Sequence, residues 1–305
     1  METGQLTARW ARFRGPGTQW GARAAVALLF LPPALLLFTV FVALPMGEAA
    51  WYSLFNWNGY GTPTQFTGWR NFRLLFETPA FHTALKNNLL VIVVSLVVQL
   101  PLALAMALLL AGRLRGTTGF RLVFFLPYIL AEIAAGLIWR FVYDGDYGFI
   151  AKIWQAFGAA PPFVLAEPDL AMAAILLVVV WKYFGFHMIL YIAGLQQISP
   201  TLYEAARIDG AGSWQIFRRI TLPLLGPTIR LSVFFAIIGS IQLFDIIMAL
   251  TRGGPSDSTQ TMVTFLYSYG VTRMQIGFGS AVGVVLFVIC VVFAFGYKRF
   301  LMRDD

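Results

Sequence analysis

Three charged residues stand out inside the long apolar stretches of this 305-residue chain: Glu132, Lys182 and Asp245. A charged side chain at mid-bilayer costs about 2.5–3.5 kcal/mol on insertion scales, and it usually faces protein or a water-filled path. Each of the three has polar or aromatic company at helical spacing. Tyr128 and Trp139 lie four before and seven after Glu132, Tyr183 and His187 are four apart beside Lys182, and Gln242 and Asp245 are three apart. Carboxylates and amides exchange hydrogen bonds with hydroxyls, and flat rings cover apolar faces of a solute. Tyr128, Glu132, Trp139, Lys182, Tyr183, Gln242 and Asp245 are therefore candidates for lining a solute path. Structural readings stand beside this one. Glu132 and Lys182 could form an ion pair between helices or pair with a neighbouring subunit. Gln242 and Asp245 could cap a helix end near the outer surface. His187 alone reads as a satisfied packing histidine.

Other chemistries find no support in the residues. A Walker A loop needs Gly-Lys-Ser/Thr to cradle phosphates. The lysines are Lys86, Lys152, Lys182 and Lys298, and none follows a glycine. No nucleotide site can be placed, and no cofactor is expected on this chain. His82 and His187 are the two histidines and Cys290 is the one cysteine, which suggests no zinc site and allows no internal disulfide. The net charge is +8. A basic balance can mark a nucleic-acid partner, but here Lys and Arg sit between apolar runs, which is how membrane topology is written. No nucleic acid is expected.

A polar segment, 199–223, carries a second pattern. Ser199 can cap a short helix whose first turn suits Pro200. Glu204 lies early in that helix, where the dipole favours an acid. Gly210 and Gly212 break it. A second amphipathic piece runs from Trp214 to Ile220, and Pro223 restarts the chain. Ala205, Ala206, Gly210 and Ala211 leave one face without bulk, so another surface can approach closely. An ordinary interfacial hairpin would look the same on these grounds.

The elements that must position these residues follow from composition. The chain is 59% hydrophobic and 12% charged, whereas soluble domains carry about 25% charged residues. Six apolar stretches reach the roughly 20 residues that a spanning helix needs. They lie near 24–44, 88–112, 120–143, 170–195, 228–250 and 276–297. Runs such as Leu89–Val98 are too continuous for the alternation of barrel strands. The first run is longer than a secretory core of about 7–15 residues and reads as an uncleaved anchor.

Orientation follows from basic residues. Arg9, Arg12, Arg14 and Arg23 precede the first run. Arg113, Arg115 and Arg121 separate the second from the third, and Arg207, Arg218, Arg219 and Arg230 the fourth from the fifth. Lys298, Arg299 and Arg303 close the chain. The opposite loop holds Asp144, Asp146, Glu167 and Asp169 against Lys152, with Arg140 at its edge. The positive-inside rule puts both termini in the cytoplasm. Residues 1–23 and 299–305 are then cytoplasmic tails of one membrane domain, 24–298. Trp51, Trp57, Tyr60, Trp69 and Tyr143 fall in outer loops, as interfacial anchors or as contacts for an outside partner.

The fixed spacing in 199–223 supports a resemblance. Glu204-Ala205-Ala206, three residues, Gly210, nine residues, then Ile220-Thr-Leu222-Pro223 resembles the EAA loop of binding-protein-dependent ABC importer permeases at all seven defined positions. Asp209 also fits. Phe66-Thr-Gly-Trp-Arg-Asn-Phe, Lys86-Asn-Asn, Phe125-Leu-Pro-Tyr, Gln242-Leu-Phe-Asp and Leu250-Thr-Arg-Gly-Gly-Pro255 are similar to segments of carbohydrate-importer permeases related to the maltose permease pair. The larger maltose permease has extra N-terminal spans and a long outside insertion. This chain has neither, and is more similar to compact six-span members such as those for glycerol phosphate, lactose or multiple sugars.

The resemblance implies an all-α membrane protein of the type I ABC importer fold, with six transmembrane helices and a cytoplasmic EAA-type coupling helix-turn-helix. It implies a multi-pass subunit of a bacterial inner membrane that translocates a sugar or related carbohydrate and is not itself an enzyme. A second homologous permease, an ATPase dimer that uses ATP and Mg, a soluble sugar-binding protein and membrane lipid are the implied partners. Glu204, Ala205, Ala206, Asp209, Gly210, Ile220, Leu222 and Pro223 are the implied ATPase-coupling residues. A gradient-driven secondary transporter and a non-transport membrane scaffold are the alternatives. The first would leave the 199–223 spacing unexplained, and the second would use that loop only to bind a partner.

Overall fold

The computed structural model describes residues 16–112 and 116–301. Arg9, Arg12, Arg14, Arg113, Arg115 and Arg303 lie outside them. Regular structure among the described residues is helical, apart from an isolated bridge between Phe55 and Phe66. Helix α1 covers 16–52, including a wider turn at Thr39–Ala43, and α2 is Arg70–Glu77. Next come α3 (Pro79–Ala111), α4 (Thr117–Ile129), α5 (Glu132–Val142), α6 (Phe149–Ala156) and α7 (Pro168–Gln196). The short pair α8 (Pro200–Ile208) and α9 (Ser213–Leu224) leads into α10 (Gly226–Ile241). The chain closes with α11 (Asp245–Leu250), α12 (Met262–Val271) and α13 (Ile276–Phe300).

Among the described residues, four helices are long and apolar enough to cross a bilayer alone: Leu28–Tyr52 within α1, α3, α7 and α13. Six are reached only if two bent pairs each count as one, α4 with α5 at 96° and α9 with α10 at 65°. The expected third span, 120–143, is therefore not one helix. Pro127 removes a ladder donor, and Leu130 and Ala131 then turn extended, at ψ 139° and 138°. The expected fifth span, 228–250, stops at Ile241 and restarts at Asp245. The second helix begins at Pro79 rather than 88, because Thr78 is extended and Pro79 starts the helix. His82, Lys86, Asn87 and Asn88 hid those first turns from a hydropathy reading.

Proline also explains three of the wider turns, though not the one at Leu266–Val271. The π turns Thr39–Ala43, Ser95–Gln99 and Phe217–Thr221 are each followed by Leu-Pro, at Pro45, Pro101 and Pro223. A proline has no N–H to return, and its ring crowds the carbonyl one turn back. Widening the helix just before it relieves both problems.

Helix α7 is the centre of the packing. Half of its apolar window is buried, against none of that in α1. Its N-terminal half packs Ile175 and Val178 against Ile246, Ile247 and Leu250. Its other half packs Met188 and Tyr191 against Ala103 and Ala107 of α3. Small residues let helices approach closely in lipid. A Cβ on Gly185 of α7 would meet the Phe124 carbonyl, so α4 crosses α7 with backbones touching. Tyr143, expected among interfacial aromatics, is buried in this core and its hydroxyl donates to the Ala174 carbonyl at 3.2 Å. Trp51, Tyr60 and Trp69 are exposed.

Two segments far apart in sequence meet through amides. Asn87 Nδ2 donates to the carbonyls of Ser258 and Gln260 at 2.7 and 2.8 Å. Asn88 Nδ2 donates to the Ser240 carbonyl at 2.7 Å, and its Oδ1 accepts from Met262 N at 2.8 Å. These bonds serve backbone groups that the irregular stretch after Ile241 leaves without helical partners. Asn88→Ala is expected to destabilise the purified protein by about 1–3 kcal/mol. The readout is the thermal unfolding midpoint in detergent, and an unchanged midpoint counts against this role.

Candidate functional site

Helices α3, α4, α5, α7 and α10 enclose a cavity of about 390 Å³. Ser95 and Gln99 reach it from the π turn of α3, where the widened helix carries a polar pair inside an apolar run. Tyr128 and Glu132 reach it from either side of the break between α4 and α5. Tyr183, Phe186 and His187 come from α7, and Phe235, Ser240 and Gln242 from α10 and the turn after it.

The polar groups are ordered by one another. Tyr183 Oη donates to Glu132 Oε1 at 2.6 Å. Ser240 Oγ donates to the Ala236 carbonyl at 2.7 Å and lies 3.4 Å from Ser95 Oγ. His187 Nδ1 lies 2.7 Å from Ser232 Oγ, which agrees with a satisfied histidine, yet its ring still reaches the cavity wall. Tyr128 stacks on Phe186 with centroids 5.0 Å apart. The arrangement offers aromatic faces beside hydroxyl, amide and carboxylate groups.

Three of the seven candidate residues do not line this cavity. Lys182 is only 1% exposed, and its Nζ donates to the carbonyls of Leu130 at 2.6 Å and Pro127 at 3.2 Å. Those carbonyls belong to the end of α4, where helical partners run out and the dipole favours a cation. The hydrogen-bond partner of Glu132 is thus Tyr183, and the Glu132–Lys182 ion pair is replaced by a lysine that fastens the break. Trp139 was placed with Tyr128 on one face of a continuous helix. The 96° bend removes that shared face, and Trp139 packs on Tyr143 and Trp181 instead. Asp245 is the first residue of α11. It and Glu132, the first residue of α5, stand where a helix start favours an acid.

Ser95, Gln99, Phe186, Phe235 and Ser240 were not singled out by sequence. Ser95 and Gln99 were legible as a polar pair four apart within an apolar run. The two phenylalanines carried no such signal.

The 199–223 segment folds as two short helices. Helix α8 ends in a Schellman motif: Ala211 N bonds the Ala206 carbonyl at 2.9 Å and Gly210 N the Arg207 carbonyl at 3.1 Å. Gly210 takes φ +78°, a conformation that glycine accepts freely. Tyr203 Oη lies 3.3 Å from Thr221 Oγ1 and ties α8 to α9. Glu204, Ala205, Asp209 and Gly210 are exposed, as are Leu222 and Pro223, while Ala206 and Ile220 are half-buried. Ile208 is 86% exposed beside them.

Residues 122–303 match the family described as binding-protein-dependent transport system inner membrane component. The chain belongs to that family. It is a multi-pass permease subunit of an ABC importer that works with a binding protein, and the chemistry of an enzyme is not its task. This permease is 34% identical over 279 residues to the probable ABC transporter permease protein YurN of Bacillus subtilis, with 90% of this chain and 95% of that one covered. It is 32% identical over 298 residues to the sulfoquinovosyl glycerol transport system permease protein SmoG of Agrobacterium fabrum, covering 97% and 95%. In fold it is similar to a chain of a bacterial ABC transporter involved in import of the acidic polysaccharide alginate, with a TM-score of 0.82, 22% identity, and 95% and 100% of the two chains covered.

In the permease, Lys182→Met keeps the length of the side chain but removes the donor from the carbonyls at the break. A loss of about 1–3 kcal/mol is expected, against a smaller loss for Glu132→Gln, which keeps an acceptor for Tyr183. Thermal unfolding of the two purified variants checks this. Equal shifts would mean that the ammonium does not hold the break.

Proposed function

We propose that this permease translocates a sugar or related carbohydrate through the cavity between α3, α4, α5, α7 and α10. The single observation that carries the reading is the pairing there of aromatic faces with hydroxyl, amide and carboxylate groups in a hydrophobic protein. Relatives named for sugars support it, among them the lactose permease protein LacF of Rhizobium radiobacter, 33% identical over 278 residues. The permease works in a bacterial inner membrane beside a second homologous permease, an ATPase dimer and a soluble sugar-binding protein. ATP and Mg are used by the ATPase, to which the α8–α9 hairpin transmits motion. Tyr128, Glu132, Tyr183 and Gln242 contact the solute, while Glu204, Ala205, Ala206, Asp209, Gly210, Ile220, Leu222 and Pro223 form the coupling element.

Exposure supports the coupling role. Ile208 and Trp214 are 86% and 69% exposed on a hairpin that also carries charge, and bare apolar side chains rimmed by polar ones suit a docking surface. Gly210→Leu tests it. Among the described residues, none beyond its chain neighbours lies within 4 Å of a Cβ at that position, so the added bulk meets a partner, while the positive φ adds roughly 1 kcal/mol of local strain. The expected result is inserted permease with weak ATPase co-purification and solute uptake cut at least tenfold. Gly210→Asn, which tolerates that backbone, separates strain from bulk. Normal attachment and uptake in Gly210→Leu would reduce the hairpin to a connector.

Both termini, and with them α8 and α9, are assigned to the cytoplasm. Single cysteines at Ala159 and Gly212, in a Cys290→Ser background, are expected to react with an impermeant maleimide from outside and only after permeabilisation, respectively. The reverse pattern would invert the topology.

A further inference from the structure

The similarity to an alginate importer fixes the architecture but leaves the charge of the solute open. The cavity speaks to that charge. Among the described residues that line it, Glu132 carries the one carboxylate, and no lysine or arginine is present. Lys182 is the neighbouring cation on α7; it is not part of the lining, and its ammonium is engaged by the carbonyls of Pro127 and Leu130. A second acid, Asp245, opens α11 three residues after the cavity residue Gln242.

A buried anion is costly unless it is met by a cation or by several N–H donors. A helix start could supply such donors. Helix α5 does begin at the cavity, but its first residue is Glu132 itself, so a carboxylate of the protein already stands at that positive end. The remaining polar lining is suited to hydroxyls: the amides of Gln99 and Gln242, and the hydroxyls of Ser95, Tyr183 and Ser240.

We infer that the cavity holds a negative potential and selects an uncharged polyhydroxylated solute, rejecting carbohydrates that bear phosphate, sulfonate or carboxylate groups. The inference rests on the carbohydrate reading of this cavity and adds the charge class. Glu132 is its specificity-determining residue.

The potential is measurable without knowing the solute. Gly239 lines the cavity, and among the described residues no atom outside its own stretch of helix lies within 4 Å of a Cβ there, so Gly239→Cys is accommodated; Gln242→Cys is the second probe position. In a Cys290→Ser background, with the importer assembled in its membrane, each thiol is reacted with cationic trimethylammonium-ethyl and anionic sulfonatoethyl methanethiosulfonate. After normalisation to a free thiol, the cationic reagent is expected to react about tenfold faster, as a nearby unit charge in a partly hydrated protein requires. Glu132→Gln should bring the ratio close to one. Equal rates at both positions, or a faster anionic reagent, overturn the inference.

Transport by the assembled importer supplies the second arm, with maltose against maltose 6′-phosphate and diacetylchitobiose against an alginate disaccharide. Uptake of a neutral member without its anionic counterpart supports the inference. Uptake of an anionic member overturns it and leaves the carbohydrate reading intact. Uptake of a non-carbohydrate solute instead overturns the carbohydrate reading, and the thiol ratio then still decides the sign of the cavity.

Discussion

A backbone carbonyl or N–H in hydrocarbon has no water to turn to, so a spanning chain must satisfy it from within. An unbroken helix does this by itself. This permease breaks its helices, and each break sets polar atoms loose in an apolar surrounding. At Leu130–Ala131 the loose carbonyls are taken by the ammonium of Lys182. After Ile241 they are taken by Asn88, and Thr261 Oγ1 donates to the Leu243 carbonyl at 2.8 Å. Much of the buried polarity that looks like binding chemistry is employed in this repair.

The same breaks create the site. Interrupting a span exposes a helix start inside the protein, and an acid is favoured there. Glu132 and Asp245 both hold such positions. Discontinuous helices lining a path are a recurrent device in transporters, because irregular backbone is tolerated only where it is buried or faces a cavity. Lys182 and Tyr183, adjacent on α7, divide the work at one break: the ammonium holds the end of α4, and the phenol holds the carboxylate that begins α5. The position of Glu132 therefore depends in part on a residue that does not line the cavity.

Proline links the lipid-embedded helices to the hairpin outside. A Leu-Pro pair follows a π turn in α1, in α3 and in α9. In α3 the widened turn delivers Ser95 and Gln99 to the cavity. In α9 it adjoins Thr221, which meets Tyr203 of α8. The proline of the Ile220–Pro223 motif is thus accounted for by helix geometry, and Gly210 by the left-handed turn that ends α8.

The sequence by itself determined the helical membrane class, the approximate places of the apolar stretches and the two-helix hairpin at 199–223. Those features are written in local composition and fixed spacing, and local signals survive without coordinates. Gly210 was legible for that reason: its left-handed turn is a property of a few consecutive residues. Only the tertiary structure decided which polar residues share the cavity. Helical spacing placed Trp139 with Glu132 and offered Lys182 as a solute ligand. Both readings assumed an unbroken helix or a free ammonium, and the 96° bend together with the exposed carbonyls of α4 removed both assumptions. Phe235 and Ser240 face Ser95 across the cavity although they are distant from it in sequence. Which side chains converge depends on how helices cross and where they bend, and those are set by contacts between segments that no single stretch of sequence contains.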